Sequence, residues 1–164
     1  MRLSAALVLG ICLVGCHQRK PAVSDADFEA FRLGNPGMTQ KCRDDYRYGG
    51  IAAANPDDPA CFEMTAPQQW SGIWVHGFEW TNFCPDPAKA CPIYGAPGVN
   101  WLTGVGRAPL KMQVPDGSYH LQFIGRRTKS PGHFGHLSQY DNWIVVDKVI
   151  SLRRLPERTE SSAK

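Results

Sequence analysis

Apolar and polar positions alternate most clearly near the C-terminal end of the chain. Over residues 118–128, Tyr119, Leu121 and Phe123 fall on one face and His120, Gln122 and Ile124 on the other. That period of two predicts a strand. Residues 142–152 carry Trp143, Ile144, Val145, Val146, Val149 and Ile150 in a nearly continuous apolar run, which predicts a strand closing the core. Residues 70–83 are aromatic and β-branched without a run of helix formers, and read as one long central strand. Its alternation sets Ile73 and Val75 against Trp74, Phe78 and Trp80, with Gly72 and Gly77 as points where a strand bends or bulges. Residues 99–103 predict a short strand bearing Trp101. The resulting core is Trp74, Phe78, Trp101, Phe123, Val145 and Val149.

Turn residues separate these segments. Pro115-Asp116-Gly117 marks a turn, and Pro85, Pro87 and Pro92 stiffen residues 84–93. Residues 130–141 form a second loop, rich in Gly and His. Upstream, Ser24 is an N-cap residue with Asp27 three positions on, Phe28 and Phe31 share a face, and Gly34 and Pro36 end the pattern. This predicts one short helix that is stable only if its two phenylalanines dock on the body. Residues 35–67 show no sustained period and read as a long irregular excursion. Several strands broken by Gly and Pro, with one helix outside them, predict an all-β fold. It is a small OB-like β-barrel or sandwich with one short N-terminal helix and long disulfide-tied loops.

The start of the chain changes the picture from fold to location. Met1-Arg2 precede an apolar run, residues 3–15, that ends at Leu13-Val14-Gly15-Cys16. A charged start, a short apolar stretch and small residues before a cut site predict an export signal over residues 1–15. The run is shorter than the roughly 20 apolar residues needed to span a bilayer. Leu13-Val14-Gly15-Cys16 resembles the lipobox of bacterial lipoproteins, which implies acylation of Cys16 as the new N-terminus and attachment to the membrane through that lipid. His17 rather than an acid after Cys16 implies sorting to the outer membrane, facing the periplasm. Residues 16–23 then form a lipidated tether, residues 24–155 a single β-rich domain, and residues 156–164 a polar, disordered tail.

Composition adds limits. Eighteen Lys and Arg against fifteen acids give a formal +3, and loss of Arg2 with the signal leaves +2. A charge this small in an exported chain gives no basis for nucleic acid as a partner. Cys42, Cys61, Cys84 and Cys91 remain after Cys12 leaves and Cys16 takes lipid. An even set in an oxidising compartment predicts disulfides with three available connectivities, of which Cys42–Cys61 with Cys84–Cys91 is favoured. No Cys-x-x-Cys occurs, so neither a zinc knuckle nor a redox pair is supported. The long glycine-containing segment ending at Phe83-Cys84 is similar to small OB-like barrel domains of envelope lipoproteins, including the copper-stress lipoprotein of the NlpE type. The missing Cys-x-x-Cys means that copper sensing does not carry over.

Candidate chemistry gathers around the second loop. Arg126, Arg127, His133, His136 and Tyr140 flank it and predict one ligand-binding face, with guanidiniums and imidazoles suited to an anion or a sugar. The competing reading is structural, with Arg126 paired to Asp141 and His136 pinning the loop. A metal reading would join His76 and His120 to His133 and His136 for zinc or copper. A hydrolase reading would use Glu79 as a general acid near Arg127. No nucleophile elbow, metalloprotease helix, phosphate loop or dinucleotide fingerprint is present. The expectation is therefore a lipid-anchored envelope module, more binding protein than enzyme, without cofactor or metal, contacting an envelope protein, a glycan or a small anion. Metal-binding or stress-sensing lipoprotein and envelope hydrolase are the alternatives.

Overall fold

In the computed structural model the described residues are 19–55, 58–92, 96, 98–104 and 114–156. The signal, Cys16, His17 and residues 157–164 of the tail lie outside them. None of the described helices is long and apolar enough to cross a membrane.

Five strands close into a barrel in the order β1-β2-β3-β5-β4, a small OB-like barrel rather than a sandwich. β1 (Gln68–His76) pairs antiparallel with β2 (Thr81–Pro85) on one edge and with β4 (Gly117–Arg127) along its whole length on the other. β3 (Asn100–Gly104) pairs antiparallel with β2 and parallel with β5 (Asn142–Arg154), which returns antiparallel to β4. Two register shifts in the β4–β5 ladder, at Gln122/Phe123 and Ile124/Gly125, are bulges that turn the corner. Gly125 sits at one of them because a Cβ there would stand 2.5 Å from the Val145 carbonyl.

The barrel interior is Trp74, Phe83, Leu102, Tyr119, Leu121, Phe123, Ile144 and Val146. The indole N–H of Trp74 donates to Thr81 Oγ1 at 2.9 Å, and that hydroxyl donates to the Leu102 carbonyl, so these two buried polar groups are satisfied. A second apolar layer lies outside the barrel wall, where Cys84, Trp143 and Val145 meet Met38, Cys42, Cys61, Phe62, Phe134 and Tyr140. β5 is therefore buried on both faces over Trp143, Ile144, Val145 and Val146, which explains its unbroken apolar run.

The predicted N-terminal helix is present as α1 (Asp25–Gly34), with the Ser24 hydroxyl accepting from Asp27 N–H at 3.1 Å. A second helix, α2 (Gln40–Gly49), occupies what reads in the sequence as an irregular excursion. Its buried residue is Cys42, bonded to Cys61, and Tyr46 one turn on stacks on Phe31 of α1 with centroids 3.6 Å apart. Arg47 lies over the Phe28 ring and pairs with Asp25. Both favoured disulfides, Cys42–Cys61 and Cys84–Cys91, are formed.

Two further expectations are corrected. Residues 70–83 are two strands, not one: Gly77 N–H donates to the Trp80 carbonyl at 3.0 Å and a tight turn reverses the chain. Phe78 sits on that turn at 84% exposure and leaves the core. Val149 is 39% exposed because β5 leaves the covered part of the barrel after Val146, where residues 147–151 are all exposed. Trp74, Phe123 and Val145 are fully buried as expected, whereas Trp101 is only partly so.

Candidate functional site

The β1–β2 turn, β3, β5 and the loop between β4 and β5 come together at one place on the barrel. Between them lies a groove of about 490 Å³ lined by Phe78, Glu79, Trp101, Thr103, Gly135, His136 and Trp143. Each wall has a local cause. The tight turn projects Phe78 and Glu79 beyond the sheet. Trp101 and Thr103 are two apart on β3 and share a face by strand periodicity. Trp143 is 5% exposed and its indole N–H donates to Thr103 Oγ1 at 2.6 Å, which fixes the floor.

The β4–β5 loop forms the remaining wall and is held in several places. Phe134 and Tyr140 exchange backbone hydrogen bonds, and Gly132 N–H donates to the Asp141 carbonyl. Phe134 packs edge-on against Phe62 at 5.0 Å. The Tyr140 hydroxyl donates to Asn82 Oδ1 at 2.6 Å, and its ring lies 5.1 Å from that of Trp101. Burial pushes this phenol above its usual range. Gly135 has φ +70°, and a Cβ there would overlap the indole of Trp101, so only glycine fits against that ring. Leu137 and Ser138 also adopt positive φ, at 52° and 57°. Left-handed backbone costs a non-glycine residue roughly 1–2 kcal/mol, and such strain concentrates at functional loops. Leu137 is 73% exposed at this lip.

One polar pair spans the groove. His136 Nε2 lies 3.5 Å from Glu79 Oε2, joining the loop to the β1–β2 turn. No lysine or arginine among the described residues lines the groove. Its chemistry is thus aromatic surface, one carboxylate, one imidazole and one hydroxyl.

The five residues expected to share a binding face are distributed differently. His136 lines the groove, and Tyr140 is buried behind Trp101 as support rather than contact surface. His133 is exposed on the loop and does not line it. Arg126 is held by Asp147, not Asp141, with Nη2 2.8 Å and Nε 3.1 Å from its carboxylate, and that pairing pushes the guanidinium pKa up. Arg127 donates its backbone N–H to Thr65 Oγ1, and its guanidinium lies 6.0 Å from the Trp70 ring. Neither arginine reaches the groove wall.

The histidines of the metal reading are also apart. His76 is 4% exposed, stacked on Trp74, with Nε2 2.9 Å from the Val114 carbonyl. His120 neighbours Asp86 at 3.7 Å, and His136 neighbours Glu79. Among the described residues no three His, Cys, Asp or Glu side chains converge as metal ligands would. Glu79, the acid of the hydrolase reading, faces His136 rather than Arg127, and no second carboxylate among the described residues lines the groove.

Sequence reading overlooked Phe78, Trp101, Thr103, Gly135 and Trp143 as site residues. The usable signals were Gly77 as a turn and the two-residue spacing of Trp101 and Thr103. No protein-family model matches the chain, and neither a curated protein nor a solved structure matches it.

Proposed function

We propose that this protein is a lipid-anchored binding module of the bacterial envelope, held by an acylated Cys16 in the outer membrane and facing the periplasm. Its ligand seat is the groove between the β1–β2 turn, β3 and the β4–β5 loop. The observation that carries this reading is the groove itself: residues from four separate elements converge on one aromatic and polar cleft. Ligand sites are typically concave, mostly apolar and fitted with a few placed polar groups. In OB folds the β2–β3 face and the loops between strands 1 and 2 and strands 4 and 5 are the ligand-facing parts. The anchor reading is supported by Leu13-Val14-Gly15-Cys16 following a short apolar run. With one carboxylate and one imidazole among the described residues of the groove, binding is better supported than hydrolysis.

Two experiments test the halves of the proposal. Cys16→Ser is expected to leave unprocessed precursor and abolish lipid labelling; labelling that survives the change contradicts the anchor. A photoreactive phenylalanine analogue placed at Phe78 is expected to crosslink to an envelope component in cells. The same analogue at Ile150, also exposed, is expected to give none. Equal adducts at both positions, or none at Phe78, would contradict a ligand seat in the groove.

A further inference from the structure

The lining of the groove carries information about the class of its ligand. Phe78 stands at the lip, 84% exposed, and Trp101 is partly buried beside it. Aromatic surface in a cleft takes the flat apolar face of a ligand. Glu79 and His136 come from opposite walls with their polar atoms 3.5 Å apart. A carboxylate accepts hydrogen bonds and an imidazole both donates and accepts, so the pair matches adjacent hydroxyl groups.

The charge of the described lining then disfavours whole classes. A phosphate, sulfate or carboxylate ligand would meet Glu79 with no lysine or arginine among the described lining residues to offset it. Arg126, one of the residues expected to bind an anion, is committed to Asp147 through three hydrogen bonds. Single-stranded nucleic acid needs a basic track along its backbone, and the described residues of the groove supply none. A quaternary ammonium needs several ring faces around one point. Trp143 supplies little of that, being 5% exposed and tied to Thr103. A volume of about 490 Å³ lies within the ordinary range for small-ligand sites.

We propose that the groove binds a neutral oligosaccharide, with a pyranose ring lying against Phe78 and Trp101 and its hydroxyls shared between Glu79 and His136. This rests on the groove being the ligand seat. Pyranose C–H faces are apolar and their edges carry hydroxyls, so one sugar ring satisfies both parts of the lining. The carboxylate acts here as an acceptor, not as a counter-charge.

Calorimetric titration of the full mature chain in detergent, with maltotetraose, cellotetraose and chitotetraose, tests the assignment beside inorganic phosphate, polygalacturonate and choline. At least one neutral oligosaccharide is expected to bind, and phosphate and polygalacturonate are not. Trp101→Ala is expected to weaken that binding about tenfold, and Phe78→Ala serves the same purpose if the first variant fails to fold. Glu79→Ala is expected to weaken it several-fold and Glu79→Gln to restore most of the loss, because the amide oxygen still accepts. Arg126→Ala is expected to leave it unchanged. A collapse in Glu79→Gln as large as in Glu79→Ala, or binding of choline or an anion in place of sugars, overturns the neutral-sugar assignment. Absence of binding by all three oligosaccharides overturns it as well. In each case retained crosslinking at Phe78 shows that the groove still holds a ligand, whereas its loss shows that the underlying reading has failed too.

Discussion

The hydroxyl of Tyr140 shows how a single buried atom shapes the site from behind. It donates to Asn82 Oδ1, and the Asn82 amide in turn donates to the Pro92 carbonyl at 2.7 Å, so loop, β2 and the disulfide loop share one chain of hydrogen bonds. Tyr140→Phe removes this hydrogen bond to the buried Asn82 and is expected to cost about 1–3 kcal/mol at neutral pH by chemical denaturation. The phenol also has a pH signature. Burial raises its folded pKa above the unfolded value of about 10, so its contribution is fully present below that pH and is lost as pH rises through the folded value. The wild-type and Tyr140→Phe stability curves are therefore expected to converge above about pH 10; a constant gap through that range would contradict the burial argument. Gly135 makes the complementary point. Its positive φ and its contact with the Trp101 indole leave no room for a methyl group, so Gly135→Ala is expected to destabilise by about 1–3 kcal/mol and to shift tryptophan emission. Neither role is visible in the sequence, where Tyr140 looks like a contact residue and Gly135 like an ordinary loop glycine.

At the scale of elements, legibility followed periodicity. β4 alternates strictly and β5 is continuously apolar, and both lie where the pattern places them. The helix α1 announces itself through Ser24 and Asp27. By contrast, α2 hides because its anchors are only Cys42 and Tyr46, four apart in a polar background, where a disulfide and one stacked ring replace an apolar stripe. The β1–β2 turn hides for the opposite reason. Phe78 and Trp80 continue the aromatic composition of the strands through the turn, and only Gly77 marks the reversal. The candidate site depends on that missed turn, which is why the sequence pointed instead to the arginines of the second loop. The Cys42–Cys61 bridge closes a loop of sequence separation 19 and, in the chain-entropy model, contributes about 3 kcal/mol. Replacing both cysteines with alanine is expected to lower the melting temperature and to raise amide exchange throughout α2, while leaving exchange in β4 slow. Equal acceleration in both elements would contradict a bridge that acts on the outer layer.

For the whole molecule, a closed barrel with a second apolar layer outside its wall leaves the groove as an open cleft joined to that outer layer through Trp101 and Trp143. Trp74 is fully buried at the centre of the inner layer, and Trp74→Ala is expected to cost about 3–5 kcal/mol in global stability. Trp101 lies on the outer layer and in the groove at once, so ligand contact and packing meet in one side chain. Amide chemical-shift mapping reads directly where a ligand touches the protein. On titration of the isotope-labelled mature chain with neutral oligosaccharides, perturbations are expected at Phe78, Glu79, Trp101, Thr103, Gly135 and His136. Inorganic phosphate is expected to leave these positions unmoved. Perturbations centred on Arg126, Arg127 and His133, with the groove residues silent, would contradict a site between the β1–β2 turn and the β4–β5 loop.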